Sequence, residues 1–144
     1  MTKYITKSEQ DTYEIAARIA KKLKGGEIIA LAGDLGAGKT TFVQGLAKAF
    51  NIKKQVTSPT FVLMKVYPIS HKPLAISQLV HVDCYRLDQA QELFYLGVEE
   101  YLNNSNTIVV VEWADKIRKY LRGFKKVIWI KIKINNAQRE FNIK

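Results

Sequence analysis

The sequence contains the glycine-rich segment Gly33-Asp34-Leu35-Gly36-Ala37-Gly38-Lys39-Thr40. It matches the pattern G-x-x-x-x-G-K-[ST] at every fixed position, which is the signature of a loop that binds phosphate groups. An almost unbroken apolar run at residues 27–32 precedes it and is typical of a strand buried on both faces of a parallel sheet. The apolar positions after it recur at the spacing of one helix face: Phe42, Val43, Leu46, Ala47 and Phe50. A strand before the loop and a helix after it are the context that the pattern requires.

The chemistry of this loop indicates a nucleotide polyphosphate with a divalent cation. Backbone N–H groups from Gly36 to Thr41 lie at the start of a helix, where they and the helix dipole favour an anion. Lys39 supplies a positive charge for the β- and γ-phosphates, and the Thr40 hydroxyl can bind a Mg²⁺ ion that bridges them. We therefore predict ATP and Mg²⁺ as cofactors. The loop residues predicted to contact the nucleotide are Gly33, Gly36, Ala37, Gly38, Lys39, Thr40 and Thr41.

Two acidic residues are candidates for the second group that such a site needs near the metal. Glu112 follows the apolar run 107–111, and Asp83 follows the run 79–82. The carboxyl ends of parallel strands meet at one edge of a sheet, where ligands of α/β folds bind. Glu112 and Asp83 are therefore candidate metal ligands with Thr40 and, with Lys39, candidate catalytic residues. For each acid, an exposed strand-end carboxylate with no such role is the alternative. His81 lies on the same strand face as Asp83, and either a packed core histidine or a catalytic one fits that position.

The rest of the sequence alternates between strand and helix patterns. Ser8 resembles an N-cap, with Asp11 at the third helical position. The predicted elements after it are a helix from Ser8 to Gly25-Gly26, the strand 27–32, a helix that Asn51 closes, the strands 60–67, 79–83 and 107–113, a helical stretch from Asp88 to Leu102 that Gly97 splits, a short helix 114–122, and the hairpin strands 126–134 and 139–143. This order predicts a three-layer α/β sandwich of the P-loop NTPase type, with a mixed, mostly parallel sheet and a C-terminal β-hairpin. Residues 1–144 are expected to form a single domain.

Composition restricts the class of protein further. Hydrophobic residues make up 47% and charged residues 25%, which is typical of a folded globular chain. The single cysteine, Cys84, excludes an internal disulfide, and with two histidines it cannot build a typical structural zinc site. The sequence offers no apolar run long enough for a membrane span, so we expect a cytoplasmic protein with no membrane association. The net charge of +10 favours phosphate-rich partners, but the lysines are scattered and no basic run interleaves with aromatic residues.

Four segments together resemble one family. They are residues 33–42, Thr57-Ser58-Pro59-Thr60-Phe61, His81-Val82-Asp83-Cys84-Tyr85-Arg86-Leu87 and Val110-Val111-Glu112-Trp113-Ala114. The chain resembles the TsaE (YjeE-type) family, the ATPase component of the bacterial machinery that makes threonylcarbamoyladenosine at position 37 of tRNAs. The P-loop alone is generic, whereas S-P-T-F, H-x-D-x-Y-R and E-W after it are specific in combination. Cys84 departs from the family pattern, which usually has a larger apolar residue at that place.

The resemblance implies roles for several of these residues. Thr40 and Glu112 would hold Mg²⁺, and Asp83 would help to place the metal or the attacking water. Residues 57–61 would form a mobile loop that closes over the γ-phosphate, Trp113 would pack beside the site, and Tyr85 and Arg86 would shape its edge. Adenine would lie between the segment before the first helix and the late strands, where Lys7 and Lys133 are candidate contacts.

The resemblance also implies partners. The protein would hydrolyse ATP weakly on its own and would act with a complex of TsaB and TsaD to support repeated turnover. It would meet tRNA indirectly through that complex, and direct tRNA contact is the less favoured alternative.

Other functions remain open on the residues alone. A GTPase lacks support because no N-K-x-D motif follows Glu112, and the connection 68–77 has none of the arginines that the lid of a small-molecule kinase usually carries. A nucleotide-gated binding module, in which ATP orders residues 57–61 and hydrolysis is incidental, fits the same motifs. A small P-loop phosphotransferase is a further alternative.

Overall fold

The computed structural model describes residues 1–59, 61, 63–69 and 75–144. Its elements in chain order are β1 (Thr2–Thr6), α1 (Glu9–Ala20), β2 (Ile28–Gly33), α2 (Lys39–Ala49), β3 (Met64–Pro68), β4 (Gln78–Asp83), α3 (Gln91–Tyr95), α4 (Val98–Leu102), β5 (Thr107–Glu112), a 3₁₀ turn (Ala114–Ile117), α5 (Arg118–Leu121), β6 (Val127–Asn135) and β7 (Gln138–Ile143).

The strands form one seven-stranded sheet in the order β1-β7-β6-β2-β5-β4-β3. The central pairs β6–β2, β2–β5 and β5–β4 are parallel, and the outer pairs β1–β7, β7–β6 and β4–β3 are antiparallel. Five of the seven strands therefore run in the same direction, and only β3 and β7 oppose them. The prediction of a mixed, mostly parallel sheet with a C-terminal hairpin is confirmed.

Helices cover both faces of the sheet. One apolar cluster joins α1 and α2 to the sheet through large buried side chains such as Phe42, Leu46 and Phe141. A second cluster on the opposite face includes Leu93 of α3, Leu102 of α4 and Leu121 of α5. The side chains of β2 alternate between the two clusters, which explains why residues 28–32 are all apolar. The predicted three-layer α/β architecture is confirmed.

Strand β1 is an element that the sequence interpretation missed. It pairs antiparallel with β7, from Thr2 opposite Ile143 to Thr6 opposite Arg139, and so forms one edge of the sheet. Its sequence Thr2-Lys3-Tyr4-Ile5-Thr6 has only two large apolar side chains, because an edge strand that is half exposed needs little apolar surface. This strand brings the start of the chain next to the late hairpin.

Several predicted boundaries were wrong. Helix α1 begins as predicted, with the Asp11 N–H donating to Ser8 Oγ at 3.1 Å, but it ends at Ala20 rather than at Gly25-Gly26. The Glu27 carboxylate accepts the backbone N–H groups of Lys24 and Gly25, which fixes that segment outside the helix. Asp88 does not cap the next helical stretch, which begins at Gln91. Instead, Glu92 accepts the backbone N–H groups of Asp88 and Gln89 at 2.7 and 3.0 Å.

Two predicted strands are shorter than expected because a residue at their end has a positive φ. Leu63 has φ 66°, so β3 starts at Met64 instead of residue 60, and Thr60 and Val62 lie outside the described residues. Trp113 has φ 57°, so β5 ends at Glu112. Pro68 belongs to β3, and half of the predicted loop 68–77, residues 70–74, lies outside the described part of the chain. The split at Gly97, with φ 79°, is confirmed.

Candidate nucleotide-binding site

The predicted phosphate-binding loop connects β2 to α2. Gly33 must lack a side chain, because a Cβ there would meet the backbone oxygen of Ile132 at 2.6 Å. Gly38 has φ 105° and is the N-cap of α2. The first turn of α2 contains no acidic residue of its own, so its sequence does not offset the positive end of the helix dipole. The loop is therefore shaped and charged to receive an anion.

Lys39 is turned towards the loop itself. Its Nζ donates to the backbone oxygens of Gly33 at 2.7 Å and Asp34 at 2.8 Å, and it lies 3.9 Å from the ring centroid of Trp113. Burial lowers the pKa of Lys39, although four carboxylates, those of Glu112, Asp115, Asp83 and Asp34, act in the opposite direction. Because burial disfavours the ammonium ion, a bound anion would stabilise its charged form.

The two predicted carboxylates are neighbours at the same edge of the sheet. Asp83 and Glu112 are directly opposite in the parallel register of β4 and β5, and both are buried. The Thr40 hydroxyl, from the first turn of α2, lies 3.0 Å from each Glu112 carboxylate oxygen and donates to this carboxylate. The structure therefore brings the loop residue and both strand-end acids together, as the sequence predicted.

Asp83 has a different set of donors. Its Oδ2 accepts the Ser58 hydroxyl at 2.7 Å, and its Oδ1 accepts the backbone N–H of Tyr85 at 2.9 Å. The first of these bonds links the segment after α2 to the site. The second holds the start of the Tyr85-Arg86 segment at the end of β4. Tyr85 in turn packs against Trp113, with ring centroids 5.0 Å apart.

These residues line one cavity, which we name the carboxylate cleft. It has a volume of 390 Å³. Its lining residues are Leu35, Gly36, Gly38, Lys39, Thr40, Thr41, Ser58, Asp83, Tyr85, Glu112 and Trp113. Trp113 is thus beside the predicted site, and its left-handed backbone conformation, unusual for a large residue, turns the chain immediately after Glu112.

The donor set of the carboxylate cleft fits Mg²⁺ better than a transition metal. The hydroxyl of Thr40 and the carboxylates of Glu112 and Asp83 are hard oxygen donors, which Mg²⁺ prefers. Within the described residues, no group of three or more His, Cys, Asp and Glu side chains is arranged to hold a metal alone.

A second cavity lies on the other side of the same loop, and we name it the terminal groove. It has a volume of 350 Å³. It is lined by Thr6, Lys7, Ser8, Glu9, Thr12, Gly36, Gly38, Thr41, Ala137 and Arg139. Lys7 is therefore beside the loop, between the start of the chain and the late hairpin. The groove also contains residues that the sequence interpretation missed, Thr6 and Arg139 among them.

Thr6 and Arg139 face each other in the register of β1 and β7. The Thr6 side chain is buried, and its Oγ1 has no hydrogen-bond partner among the described residues. An Arg139 N–H donates weakly to the Gly36 backbone oxygen at 3.4 Å. Neither residue belongs to a sequence motif, and the pairing that brings them to the loop depends on β1, which carries no strong strand pattern.

Lys133 does not lie with Lys7. It is an exposed residue of β6 and lines a third cavity with Trp129, Lys131 and Asp34, on the opposite side of the sheet from the terminal groove. The period of two in β6 explains this, because Ile132 faces the core cluster of α1 and α2 while its neighbours Lys131 and Lys133 face the other way. The structure therefore separates two residues that were grouped as candidate adenine contacts.

A sequence model of the family described as "Threonylcarbamoyl adenosine biosynthesis protein TsaE" matches residues 6–141. The chain belongs to the TsaE family. The match includes the P-loop, both strand-end carboxylates and the hairpin, so it spans every element that builds the carboxylate cleft. The resemblance predicted from the four motifs is confirmed.

Individual TsaE proteins are similar over most of their length. The TsaE of Treponema pallidum is 32% identical over 139 residues, covering 96% of this chain and 97% of the relative. Those of Aquifex aeolicus and Bacillus subtilis are 41% and 38% identical, covering 78% and 90% of this chain and 76% and 77% of the relatives. The crystal structure of YdiB from Bacillus subtilis superposes with a TM-score of 0.76 at 32% identity, covering 99% of this chain and 83% of YdiB.

No helix in the described part of the chain is long and apolar enough to cross a membrane.

Proposed function

We propose that this TsaE-family chain is a weak Mg²⁺-dependent ATPase of tRNA N⁶-threonylcarbamoyladenosine biosynthesis that acts with TsaB and TsaD in the cytoplasm. The observation that carries the proposal is the contact between Thr40, at the end of the phosphate-binding loop, and Glu112, at the end of the adjacent strand. The relatives with the same family assignment are named for threonylcarbamoyladenosine biosynthesis. On this proposal residues 1–144 form one ATPase domain.

Four side chains of the carboxylate cleft have a defined task in this mechanism. Lys39 leaves the Gly33 and Asp34 oxygens and binds the β- and γ-phosphates, so its buried charge gains a partner. Thr40 and Glu112 hold Mg²⁺, which supplies charge stabilisation to the phosphate oxygens. Asp83, held by Ser58 and Tyr85, orients the attacking water or a water on the cation.

The terminal groove is the proposed site of the adenosine. Its wall includes Gly36, Gly38 and Thr41, so a nucleotide with its phosphates in the loop can extend into it directly. Inside, the Arg139 guanidinium and the Thr6 hydroxyl, which has no hydrogen-bond partner among the described residues, can make polar contacts with the base or ribose. Lys7 remains a proposed nucleotide contact, whereas the placement of Lys133 gives it no support in that role.

The first test is ATP hydrolysis with Mg²⁺ by the wild-type chain, Lys39→Ala and Glu112→Gln, alone and with TsaB and TsaD. We expect slow wild-type hydrolysis that the partners raise and that both variants lose by about 100-fold or more, the scale of loss seen when a charged transition-state contact is removed. No ATP turnover by the wild type under any of these conditions would contradict the ATPase proposal.

One contact favours the nucleotide-gated module as a second candidate. Ser58 ties the 57–59 segment to Asp83, so a bound nucleotide could order that segment for a partner without being hydrolysed. Glu112→Gln separates the two functions. The comparison uses a Glu112→Gln variant that binds ATP but does not hydrolyse it. Continued multiple-turnover tRNA modification with TsaB and TsaD then supports the gated module, whereas arrest after one turnover supports the ATPase.

A further inference from the structure

His81 is a buried histidine whose two ring nitrogens have very different surroundings. It lies on β4, its exposed fraction is 0%, and its Nε2 is 2.5 Å from Oε2 of Glu112. Its Nδ1 is also buried and has no hydrogen-bond partner among the described residues. Because a carboxylate oxygen accepts, the short contact assigns the donor N–H to Nε2.

Burying the His81 imidazole in this way has a larger desolvation cost than burying an apolar core side chain. An imidazole that is fully buried with one nitrogen unpartnered gives up hydration that a Leu or Phe would never need. The bond to Glu112 is the only polar contact of the ring that the described residues provide. The energetic cost of burying His81 is therefore offset by one interaction, and that interaction is with Glu112.

The second partner of Glu112 shows what this contact does. Thr40 approaches both carboxylate oxygens from one side, at 3.0 Å each, while His81 contacts only Oε2. The carboxylate is thereby held from two directions, by the start of α2 and by the neighbouring strand β4. His81 does not line the carboxylate cleft, so it can reach a ligand there only through Glu112.

We propose that His81 is a positioning residue that fixes the Glu112 carboxylate for cation binding. Its Nε2–H occupies Oε2 and leaves Oε1, together with the Thr40 hydroxyl, to face the cation. This inference rests on the proposed Mg²⁺-nucleotide function of the cleft and adds a residue that the cleft itself does not expose. Hydrogen bonds of this kind, between a ligating group and a partner behind it, typically change metal affinity by about 10- to 100-fold.

The test compares nucleotide binding with and without the cation. A fluorescent ADP analogue is titrated into the wild type, His81→Phe and His81→Gln, first in EDTA and then over a range of Mg²⁺ concentrations. His81→Phe keeps a planar ring but has no N–H, whereas His81→Gln keeps an N–H donor. Val82→Ala is the matched control, because it weakens the core on the opposite face of the same strand without touching Glu112.

We expect His81→Phe to raise the Mg²⁺ concentration for half-maximal enhancement of binding by about 10-fold or more, with binding in EDTA unchanged within about twofold. His81→Gln should recover part of the loss, and Val82→Ala should lower the urea midpoint without changing the Mg²⁺ dependence. The inference is overturned if His81→Phe shows wild-type Mg²⁺ dependence, or if it loses binding equally in EDTA, which would indicate a structural role. Failure of the proposed Mg²⁺-nucleotide function of the cleft, on which the inference rests, has a different signature, since the wild type itself would then bind no nucleotide in either buffer.

Discussion

The carboxylate cleft and the terminal groove share the wall formed by Gly36, Gly38 and Thr41, but they are built in different ways. The cleft collects the ends of β4 and β5, two buried parallel strands, together with the first turn of α2. The groove collects the β1–α1 junction and the β6–β7 hairpin, which meet only because β1 pairs with β7 at the sheet edge.

This difference separates chemistry from recognition. On the proposed function, the groups of the cleft, Lys39, Thr40, Asp83 and Glu112, would act on any nucleoside triphosphate, because they would contact only phosphate and cation. On the proposed function the base and ribose extend into the groove, which would then determine which nucleotide stays bound. Substitutions in the cleft should therefore affect every polyphosphate ligand, and substitutions in the groove should affect only ligands that carry a nucleoside.

The largest expected effect is that of Thr40→Ala in the cleft. Removing the hydroxyl takes away one proposed Mg²⁺ ligand and one donor to Glu112, so we expect Mg²⁺-dependent hydrolysis to fall by about 100-fold, the scale for loss of one preorganised transition-state contact. Thr40→Ser is the matched control, because it keeps the hydroxyl. Steady-state phosphate release measures both variants, and equal activity of Ala and Ser at this position would show that the hydroxyl has no role.

Arg139→Ala tests the groove, where we expect an effect on ATP but none on a polyphosphate that lacks a nucleoside. The guanidinium lies in the groove and contacts Gly36 only weakly, so we expect ATP affinity to fall by about 10-fold, the equivalent of one charge-assisted hydrogen bond. Affinity for inorganic triphosphate, which has no nucleoside, should be unchanged. Isothermal titration of both ligands measures the difference, with the exposed Arg122→Ala as a control for net charge. Equal losses of affinity for ATP and for triphosphate would show that Arg139 contacts the phosphates, and the groove would then not differ from the cleft in its role.

Gly45→Ala tests whether α1 and α2, the two helices that begin at these sites, are packed rigidly against each other. Gly45 is in the middle of α2, and a Cβ there would meet the Ala16 Cβ at 2.8 Å and the Tyr13 Cα at 3.0 Å on α1. We expect a loss of about 1–3 kcal/mol in the free energy of unfolding, because overpacking outweighs the better helix propensity of Ala. Urea unfolding measures this, and Ala49→Gly, exposed on the same helix, gives the propensity effect alone. A gain in stability at Gly45 would show that the helices can separate freely.

The cleft and Gly45 differ in how far the sequence could predict them. The cleft was predictable because its residues follow from local patterns: a loop motif fixes Lys39 and Thr40, and two apolar strands end in Asp83 and Glu112. The sheet type places both strand ends at the same edge, whereas the direct pairing of β4 with β5 is seen only in the structure. A glycine inside a helix carries no such pattern, because its cause is the backbone of another helix, contacted across a distance of about thirty positions in the chain.

The terminal groove was only partly predictable for the same physical reason. The resemblance located it between the segment before α1 and the late strands, and Lys7 is indeed there. Lys133 was grouped with it because the resemblance places adenine beside the late strands, and the period of two in the hairpin does not say which face of the strand turns towards α1 and α2. Thr6 and Arg139 were missed since β1, a half-exposed edge strand, has too little apolar surface to be recognised as a strand.

The smallest expected effects are those of Thr6→Val, which separates a role of this hydroxyl in ligand binding from a role in stability. In the free protein the buried Thr6 hydroxyl has no partner among the described residues, so replacing it by a methyl group should leave stability unchanged or raise it by about 1 kcal/mol. If the hydroxyl contacts the nucleoside, ATP affinity should nevertheless fall by about three- to tenfold, the value of one neutral hydrogen bond. Urea unfolding and ATP titration on the same samples measure the two effects. Opposite signs would show that the hydroxyl serves the ligand and not the fold, whereas a loss in stability with unchanged affinity would remove Thr6 from the site.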